Sequence, residues 1–146
     1  GIGSVYIIMG KFEEAREELE KAVRMAPQSA EIRARLGFAY DSLGRGGDAI
    51  REYKEALRLN PYLSQVHVSI GDLYRRIGRM ELAKKHLEEA TDIDPENTDA
   101  HYGLALLFSD LHRPDKIEKE LEDVLRRNPN HKGALSLKEQ LKHQMP

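Results

Sequence analysis

The chain has 146 residues, 40% of them hydrophobic, and this length can bury roughly two-thirds of the unfolded surface in one stable domain. Its 23 lysines and arginines nearly balance 25 aspartates and glutamates, and the net charge of −2 argues against nucleic acid as a partner. The chain has no cysteine, which excludes disulfides and thiol nucleophiles but leaves the cellular compartment open. No apolar run approaches the roughly 18 residues of a membrane-spanning helix.

A repeat of 34 residues organises the chain. Its prolines at 27, 61, 95 and 129 follow one another at this interval. The same interval relates small residues, aromatic residues and further alanines: Gly3, Gly37, Gly71 and Ala105; Tyr6, Tyr40, Tyr74 and Phe108; Ala15, Ala49, Ala83 and Ile117; Ala22, Ala56, Ala90 and Val124. This self-similarity predicts an array of about four copies of one structural unit.

Each unit is predicted to contain a helix, a short turn and a second helix. The first helix carries apolar residues at helical spacing, and the set recurs in the following units: Ile32, Leu36, Ala39, Tyr40 and Leu43. Gly44, Gly78 and His112 mark the turns, and the repeated proline ends each second helix. The residues expected to cap the following helices are Ser29, Ser64, Asn97 and Thr98.

Residues 1–146 are predicted to form a single domain. It comprises a truncated first repeat, three full repeats and a C-terminal helix: 1–29, 30–63, 64–97, 98–131 and 132–146. Because the chain starts inside the first helix of a repeat and lacks an initiator methionine, we expect a fragment of a longer protein. The C-terminal helix is expected to cap the array with its apolar residues, Ala134, Leu135, Leu137, Leu141 and Met145.

Two of the full repeats carry the same signature: Leu36-Gly37, Tyr40, Ala49, Tyr53, Ala56 and Pro61, and Ile70-Gly71, Tyr74, Ala83, Leu87, Ala90 and Pro95. This pattern resembles the tetratricopeptide repeat family over nearly the whole chain. The resemblance implies an all-α fold, a right-handed α-α superhelix of helix-turn-helix repeats. It also implies that the first helices line a concave groove for extended peptides or helices of partner proteins. Ala105, Ile117 and Val124 depart from the family pattern, so the helices of that repeat are expected to splay slightly.

No catalytic, cofactor-binding or metal site is predicted, and the chain is not expected to be an enzyme. His67 and His101 occupy equivalent positions and are interpreted as packing or partly exposed residues. The other histidines are interpreted as surface residues: His86, His112, His131 and His143. Carboxylates recur four residues from basic residues, as in Glu17 and Lys21, which indicates an ion-paired outer face. The glycines at 44, 46 and 47 lack the context of a phosphate-binding loop.

The groove implied by the resemblance would be lined by residues that flank the buried stripe of the first helices. The predicted partner-binding residues are Phe38, Asp41, Val68, Asp72, Arg75, Arg76, Tyr102 and Leu106. Apolar members are expected to anchor a ligand, arginines to bind an acidic side chain or terminal carboxylate, and aspartates to set charge preference. The alternative for the apolar residues is packing against a neighbouring repeat, and Arg75 has the alternative of pairing with Asp72.

The function expected from these residues is that of a non-catalytic scaffold that binds a peptide or helix of a partner protein in its groove. Repeats that clamp the C-terminal carboxylate of heat-shock chaperones carry basic residues and asparagines where this chain has Ala34, Phe38, Ser69, Asp99 and Gly103. That ligand is therefore not expected. The alternatives are self-association through an open N-terminal edge, formed by Ile2, Val5 and Tyr6, and a targeting module of a larger enzyme or secretion component.

Overall fold

The computed structural model describes the backbone of residues 2–144 and the side chains of residues 9–143. All regular elements in this part are α-helices, in the order α1 (Ile2–Met25), α2 (Ala30–Ser42), α3 (Gly46–Leu59), α4 (Ser64–Arg76), α5 (Met80–Ile93), α6 (Thr98–Asp110), α7 (Pro114–Arg127) and α8 (Lys132–Gln144). The all-α helical-repeat class predicted from the sequence is confirmed. Among the described helices, none has the length and apolar character needed to cross a membrane.

The helices from α2 onward follow the 34-residue period. α2, α4, α6 and α8 begin at residues 30, 64, 98 and 132, and α3, α5 and α7 begin at 46, 80 and 114. Gly44 and Gly78 have φ angles of 76° and 82°, the left-handed conformation that ends a helix and suits glycine. His112 occupies the same place in the next repeat with a φ of 55°, so the turn is retained without its glycine.

Ser29 and Asn97 make the capping hydrogen bond that the sequence predicts. Ser29 Oγ accepts from the Ile32 amide at 3.3 Å, and Asn97 Oδ1 accepts from the Ala100 amide at 3.1 Å. Ser64 and Thr98 are instead the first residues of α4 and α6. Each accepted bond satisfies one of the amides that a helix leaves without an internal partner at its start.

The leading segment differs from the other repeats because α1 runs unbroken from Ile2 to Met25. Gly10 lies one period before Gly44, yet it stays in the helical conformation and no turn forms there. The helix continues because a glycine ends it only when its backbone enters the left-handed region. A single long helix therefore stands where the period predicts a helical pair.

The chain divides into two compact units, and the first comprises residues 1–69. In this unit α2 and α3 cross closely: a Cβ atom on Gly37 would lie 2.7 Å from two ring carbons of Tyr53. Tyr53 itself is 2% exposed, so its ring fills the space that the glycine leaves. Gly37 therefore lies at a close crossing of α2 and α3, and α1 also packs on α2.

The second unit comprises residues 70–146. Leu87 on α5 is fully buried, and Cβ atoms on Gly71 and Gly103 would lie 2.7 and 2.8 Å from its side chain. The residues that depart from the family pattern are nevertheless buried at the α6–α7 hairpin: Ala105, Ile117 and Val124. The splaying of this hairpin stays a prediction.

α8 packs on α7 in the second unit and buries part of its apolar face. Ala134, Leu137 and Leu141 are buried, whereas Leu135 is 44% exposed. Met145, which was predicted to belong to the same face, lies outside the described residues. The burial of the three residues agrees with a helix that covers apolar surface of the preceding hairpin.

Candidate partner-binding surface

Phe38 is the most exposed of the predicted apolar contact residues. It lies on α2 with 58% of its surface exposed, and its ring meets the edge of Phe12 on α1 with 6.1 Å between ring centroids. The two rings form a T-shaped pair at an interplanar angle of 68°, a favourable aromatic arrangement. Phe38 therefore presents an apolar surface that is supported from one side. Asp41, one helical turn further along α2, is partly buried.

A partly buried hydrogen bond joins α1 to α2. The Tyr40 hydroxyl donates to Glu20 at 2.6 Å, and Arg16 also pairs with Glu20 at 2.9 Å. Burial, followed by the hydrogen bond to the Glu20 carboxylate, raises the pKa of Tyr40 to about 12. The hydrogen bond from Tyr40, reinforced by Arg16, lowers the pKa of Glu20 below its ordinary value.

Val68 on α4 is placed differently from Phe38. Only 8% of its surface is exposed, so it offers little area to a partner. Leu106 on α6 is partly buried and retains some accessible surface. The apolar residues of the predicted set therefore differ widely in how much they can contribute to a contact.

The charged residues of the second unit form one connected group at the C-terminal ends of α4 and α6. Arg75 donates to Asp72 Oδ1 at 3.1 Å and to Asp110 Oδ2 at 3.2 Å. Arg76 donates from Nε to the other oxygen of Asp72 at 3.0 Å. The Arg75 side chain is only 19% exposed and lies between two carboxylates, whereas that of Arg76 is 45% exposed. Arg76 is therefore the more accessible cation of the group.

Tyr102 on α6 is in contact with the start of α8. Its ring centroid lies 4.6 Å from that of His131, and a Cβ atom on Gly133 would collide with its hydroxyl group. Tyr102 is partly buried by this packing. The structure thus shows the neighbour contact that the sequence left as the alternative, and a partner contact by Tyr102 stays a proposal.

Two histidines have roles that sequence reasoning missed. His86 is partly buried and its ring stacks on Tyr74 with 5.8 Å between centroids. His131 is partly buried and accepts the Ala134 amide hydrogen at Nδ1 over 3.0 Å, so it caps α8. Both keep some accessible surface, but their packing and capping contacts were not predicted. His131 lies one period after the capping residue Asn97, and this register was the signal that could have found it.

His67 and His101 are packed inside their units, as the sequence indicated. His67 is 9% exposed, and its Nε2 lies 3.2 Å from the Pro61 carbonyl oxygen. His101 has the same relation to the Pro95 carbonyl at 2.8 Å, and it also faces carboxylates of α7. Among the described residues, one group has side chains that could hold a metal ion: His101, Glu120 and Asp123, whose ligand atoms lie within 4.8 Å of one another.

An open cleft of about 500 Å³ lies between α7 and α8, away from the predicted contact residues. Leu121, Leu125 and Leu141 form its apolar floor, and charged side chains of both signs surround it. The cleft contains no arrangement of groups among these lining residues that suggests acid–base chemistry, because its carboxylates and lysines stand at the solvent-exposed rim. Its geometry gives no reason to place the functional surface there.

The helices pair, and the pairs cross closely at positions one 34-residue period apart, Gly37 and Gly71. This arrangement is that of a helical-repeat scaffold. Models of the tetratricopeptide repeat match residues 2–64 and 74–141, and the chain belongs to this family. Members of the family are generally non-catalytic modules of protein interaction. The chain is accordingly a protein-interaction scaffold. No curated protein matches the sequence significantly.

Three solved structures illustrate the similarity. PilF of Pseudomonas aeruginosa is 26% identical with a TM-score of 0.85, and the match covers 98% of this chain and 65% of PilF. YrrB, described as a protein with an unusual peptide-binding site, is 23% identical with a TM-score of 0.77 over 94% of this chain and 71% of its own. The first repeat domain of Spaghetti (RPAP3), bound to the HSP90 peptide SRMEEVD, is 20% identical with a TM-score of 0.76 over 80% and 93% of the two chains.

Proposed function

We propose that the chain binds an extended segment of a partner protein on the exposed surface of its first helices, without catalysing a reaction. The observation that carries this proposal is the exposure of Phe38, which is 58% accessible on α2 and supported by Phe12. Covering an aromatic side chain of this kind contributes about 1.5–3 kcal/mol when burial is complete. An aromatic anchor on a fixed helix loses little side-chain entropy on binding, because neighbouring contacts already restrict its ring.

The charged group of the second unit supplies the polar component of the proposed contact. Arg75 is compensated by Asp72 and Asp110, so we assign the charge-dependent contact to the more exposed Arg76. Arginine is enriched among the residues that carry most of the binding energy at protein interfaces. An acidic residue of a partner fits Arg76 in the second unit, and an apolar residue of a partner fits Phe38 in the first unit.

Peptide binding by similar proteins supports the proposal. The descriptions of YrrB and of the RPAP3 domain both refer to a bound peptide or a peptide site. In this chain the positions of the chaperone-carboxylate clamp hold Ala34, Phe38, Ser69, Asp99 and Gly103. We therefore propose a peptide of different chemistry from the HSP90 peptide SRMEEVD bound by the RPAP3 domain.

The test is a selection of linear peptides from a random phage-displayed library, followed by fluorescence anisotropy with the enriched sequences. We expect Phe38→Ala to weaken peptide affinity at least about tenfold, which corresponds to about 1.4 kcal/mol. Tyr62→Ala is the matched control, because Tyr62 is 76% exposed but lies outside the helices. Helical circular dichroism must be equal in the variants.

Equal affinity of Phe38→Ala and the original chain would contradict the proposed surface, and failure to enrich any peptide would contradict peptide binding itself. Arg76→Glu is expected to reverse the preference for acidic residues in the selected peptides, whereas Arg113→Glu on an exposed turn is expected to leave it unchanged. Self-association is the competing function and was predicted for Ile2, Val5 and Tyr6, whose side chains lie outside the described residues. Light scattering across a concentration series distinguishes it, since a persistent monomer excludes it.

A further inference from the structure

The hairpin of α6 and α7 holds a largely buried group of one histidine and two carboxylates. His101 Nδ1 lies 2.6 Å from Glu120 Oε2 and 3.8 Å from Asp123 Oδ2. The side chains are only 12%, 12% and 20% exposed for His101, Glu120 and Asp123. Glu120 and Asp123 are three residues apart on α7, which places both carboxylates on the face that meets α6.

Both ring nitrogens of His101 face oxygen atoms that accept hydrogen bonds. Nε2 lies 2.8 Å from the Pro95 carbonyl oxygen, which can only accept, so Nε2 carries a hydrogen. In a neutral imidazole the other nitrogen, Nδ1, then presents a lone pair to the Glu120 carboxylate. A cation placed between Nδ1 and the carboxylate would be bound by both of these acceptors.

In the first full repeat, an arginine, which is permanently charged, occupies the position equivalent to His101. Arg33 lies two periods before His101, and Glu52 lies two periods before Glu120. Arg33 Nη1 donates to Glu52 Oε2 at 3.0 Å, and Nη2 donates to the Pro27 carbonyl at 3.5 Å. The guanidinium thus joins a proline carbonyl to a carboxylate, as His101 does. Unlike the guanidinium of arginine, an imidazole nitrogen can ligate a metal ion, so His101 gives this place in the later repeat a possible metal ligand.

We propose that His101 Nδ1, Glu120 and Asp123, whose ligand atoms lie within 4.8 Å of one another, bind a divalent metal ion of the zinc type that joins α6 to α7. Imidazole nitrogen and carboxylate oxygen are both zinc ligands. The Nε2–H bond to Pro95 fixes the tautomer and the orientation of the ring, as the outer hydrogen bond of a metal-bound histidine does. Three protein ligands leave a fourth position for water.

Metal binding requires a small adjustment of the group. Two ligands of a tetrahedral zinc ion, each at about 2 Å, stand about 3.3 Å apart. Glu120 Oε2, now 2.6 Å from Nδ1, therefore has to withdraw by about 0.7 Å. Arg126 and Arg127 contact the other oxygen of Asp123 and oppose a second cation. Their presence lowers the affinity of the site, and it leaves Asp123 Oδ2 as the ligand atom.

The experiment uses the whole chain without a polyhistidine tag, freed of metal with a chelator. Zn²⁺ is titrated calorimetrically, Co²⁺ is added as a visible probe of ligand number, and thermal unfolding is followed with and without Zn²⁺. We expect one Zn²⁺ per chain and a rise of Tm by at least about 4 °C at about a hundredfold excess over Kd. His101→Arg recreates the arrangement of Arg33 and Glu52, so it should preserve folding and abolish the binding of both ions.

His143→Ala is the matched control, because His143 is exposed on α8 and its removal should leave the stoichiometry at one. If His101→Arg unfolds the chain, Glu120→Gln tests the same site by removing one anionic ligand while keeping a side chain of similar size. Unchanged Zn²⁺ binding in either folded variant would overturn the proposal. It is also overturned if Zn²⁺ produces no heat and no rise of Tm in the original chain.

Discussion

A Cβ atom on Gly37 would lie 2.7 Å from two ring carbons of Tyr53, so only glycine fits at this crossing of α2 and α3. We predict that Gly37→Ala lowers the free energy of unfolding by about 1–2 kcal/mol, because overpacking outweighs the better helix propensity of alanine. Urea denaturation followed by circular dichroism measures the change. Gly47→Ala is the control: an added Cβ atom at Gly47 would meet no other atom within 4 Å, and the variant should gain about 0.5 kcal/mol. A Gly37→Ala chain as stable as this control would contradict the close crossing.

His112 has a φ of 55° at a turn where the two preceding repeats use glycine. A left-handed conformation costs a residue with a Cβ atom roughly 1–2 kcal/mol, although glycine loses more entropy on folding. We predict that His112→Gly raises the free energy of unfolding by about 0.5–1 kcal/mol. The reverse change, Gly78→Ala at a φ of 82°, should lower it by a similar amount, since no atom lies within 4 Å of the added carbon. A loss of stability in His112→Gly would show that the imidazole makes a compensating contact.

The fold class was predictable because the information is local and repeated. The stripe of Leu36, Ala39 and Tyr40 indicates one buried helix face, and Gly44 supplies the turn that follows. Each feature recurs at 34 residues, so chance agreement is excluded. Gly10 shows the limit of this reasoning: it has the register of a turn glycine but lies inside α1, because register alone does not specify the backbone conformation.

The surface was less predictable because its contacts join side chains far apart in sequence. The contact of Tyr102 with α8 depends on how closely Gly133 allows that helix to approach. Asp72 accepts hydrogen bonds from both Arg75 and Arg76. This arrangement depends on side-chain rotamers, which the sequence period does not determine. The partners of His101 could have been found by placing the three repeats in register, since Arg33 and Glu52 form the same pair.

The buried Tyr40 hydroxyl makes stability sensitive to alkaline pH. Its pKa is raised to about 12 from an ordinary value of 10, so between these values the folded chain retains a proton that the unfolded chain loses. The contribution of Tyr40 is therefore complete below pH 10 and disappears as the pH rises through about 12. We predict that the original chain loses at most about 2 kcal/mol more than Tyr40→Phe over this range. Chemical denaturation of both chains at several pH values gives the difference, and parallel curves would refute the assignment.

Glu20 gives the corresponding dependence in acid. Its pKa is lowered, first by the hydrogen bond from Tyr40 and then by Arg16, so the folded chain holds this proton less tightly than the unfolded chain does. The stability contributed by Glu20 is present above its ordinary pKa of 4.5 and is lost as the pH falls through the lower, folded value. We predict that Glu20→Gln is less stable than the original chain at neutral pH and that the gap narrows below pH 4.5. A gap independent of pH would mean that the carboxylate charge is not what stabilises the contact of α1 with α2.

Tyr102 was predicted to bind a partner, but in the structure it packs against Gly133 of α8. A Cβ atom on Gly133 would collide with the Tyr102 hydroxyl, so we predict that Gly133→Ala lowers the free energy of unfolding by about 1–3 kcal/mol despite the better helix propensity of alanine. In a chain that already carries Tyr102→Ala, the same change should cost little, because the space is vacant. Denaturation of the two single variants and the double variant forms a cycle that isolates this coupling. If the two changes in the free energy of unfolding are additive, Tyr102 does not stabilise the position of α8. If they are strongly coupled, a partner that contacts Tyr102 has to bind while α8 remains packed against it.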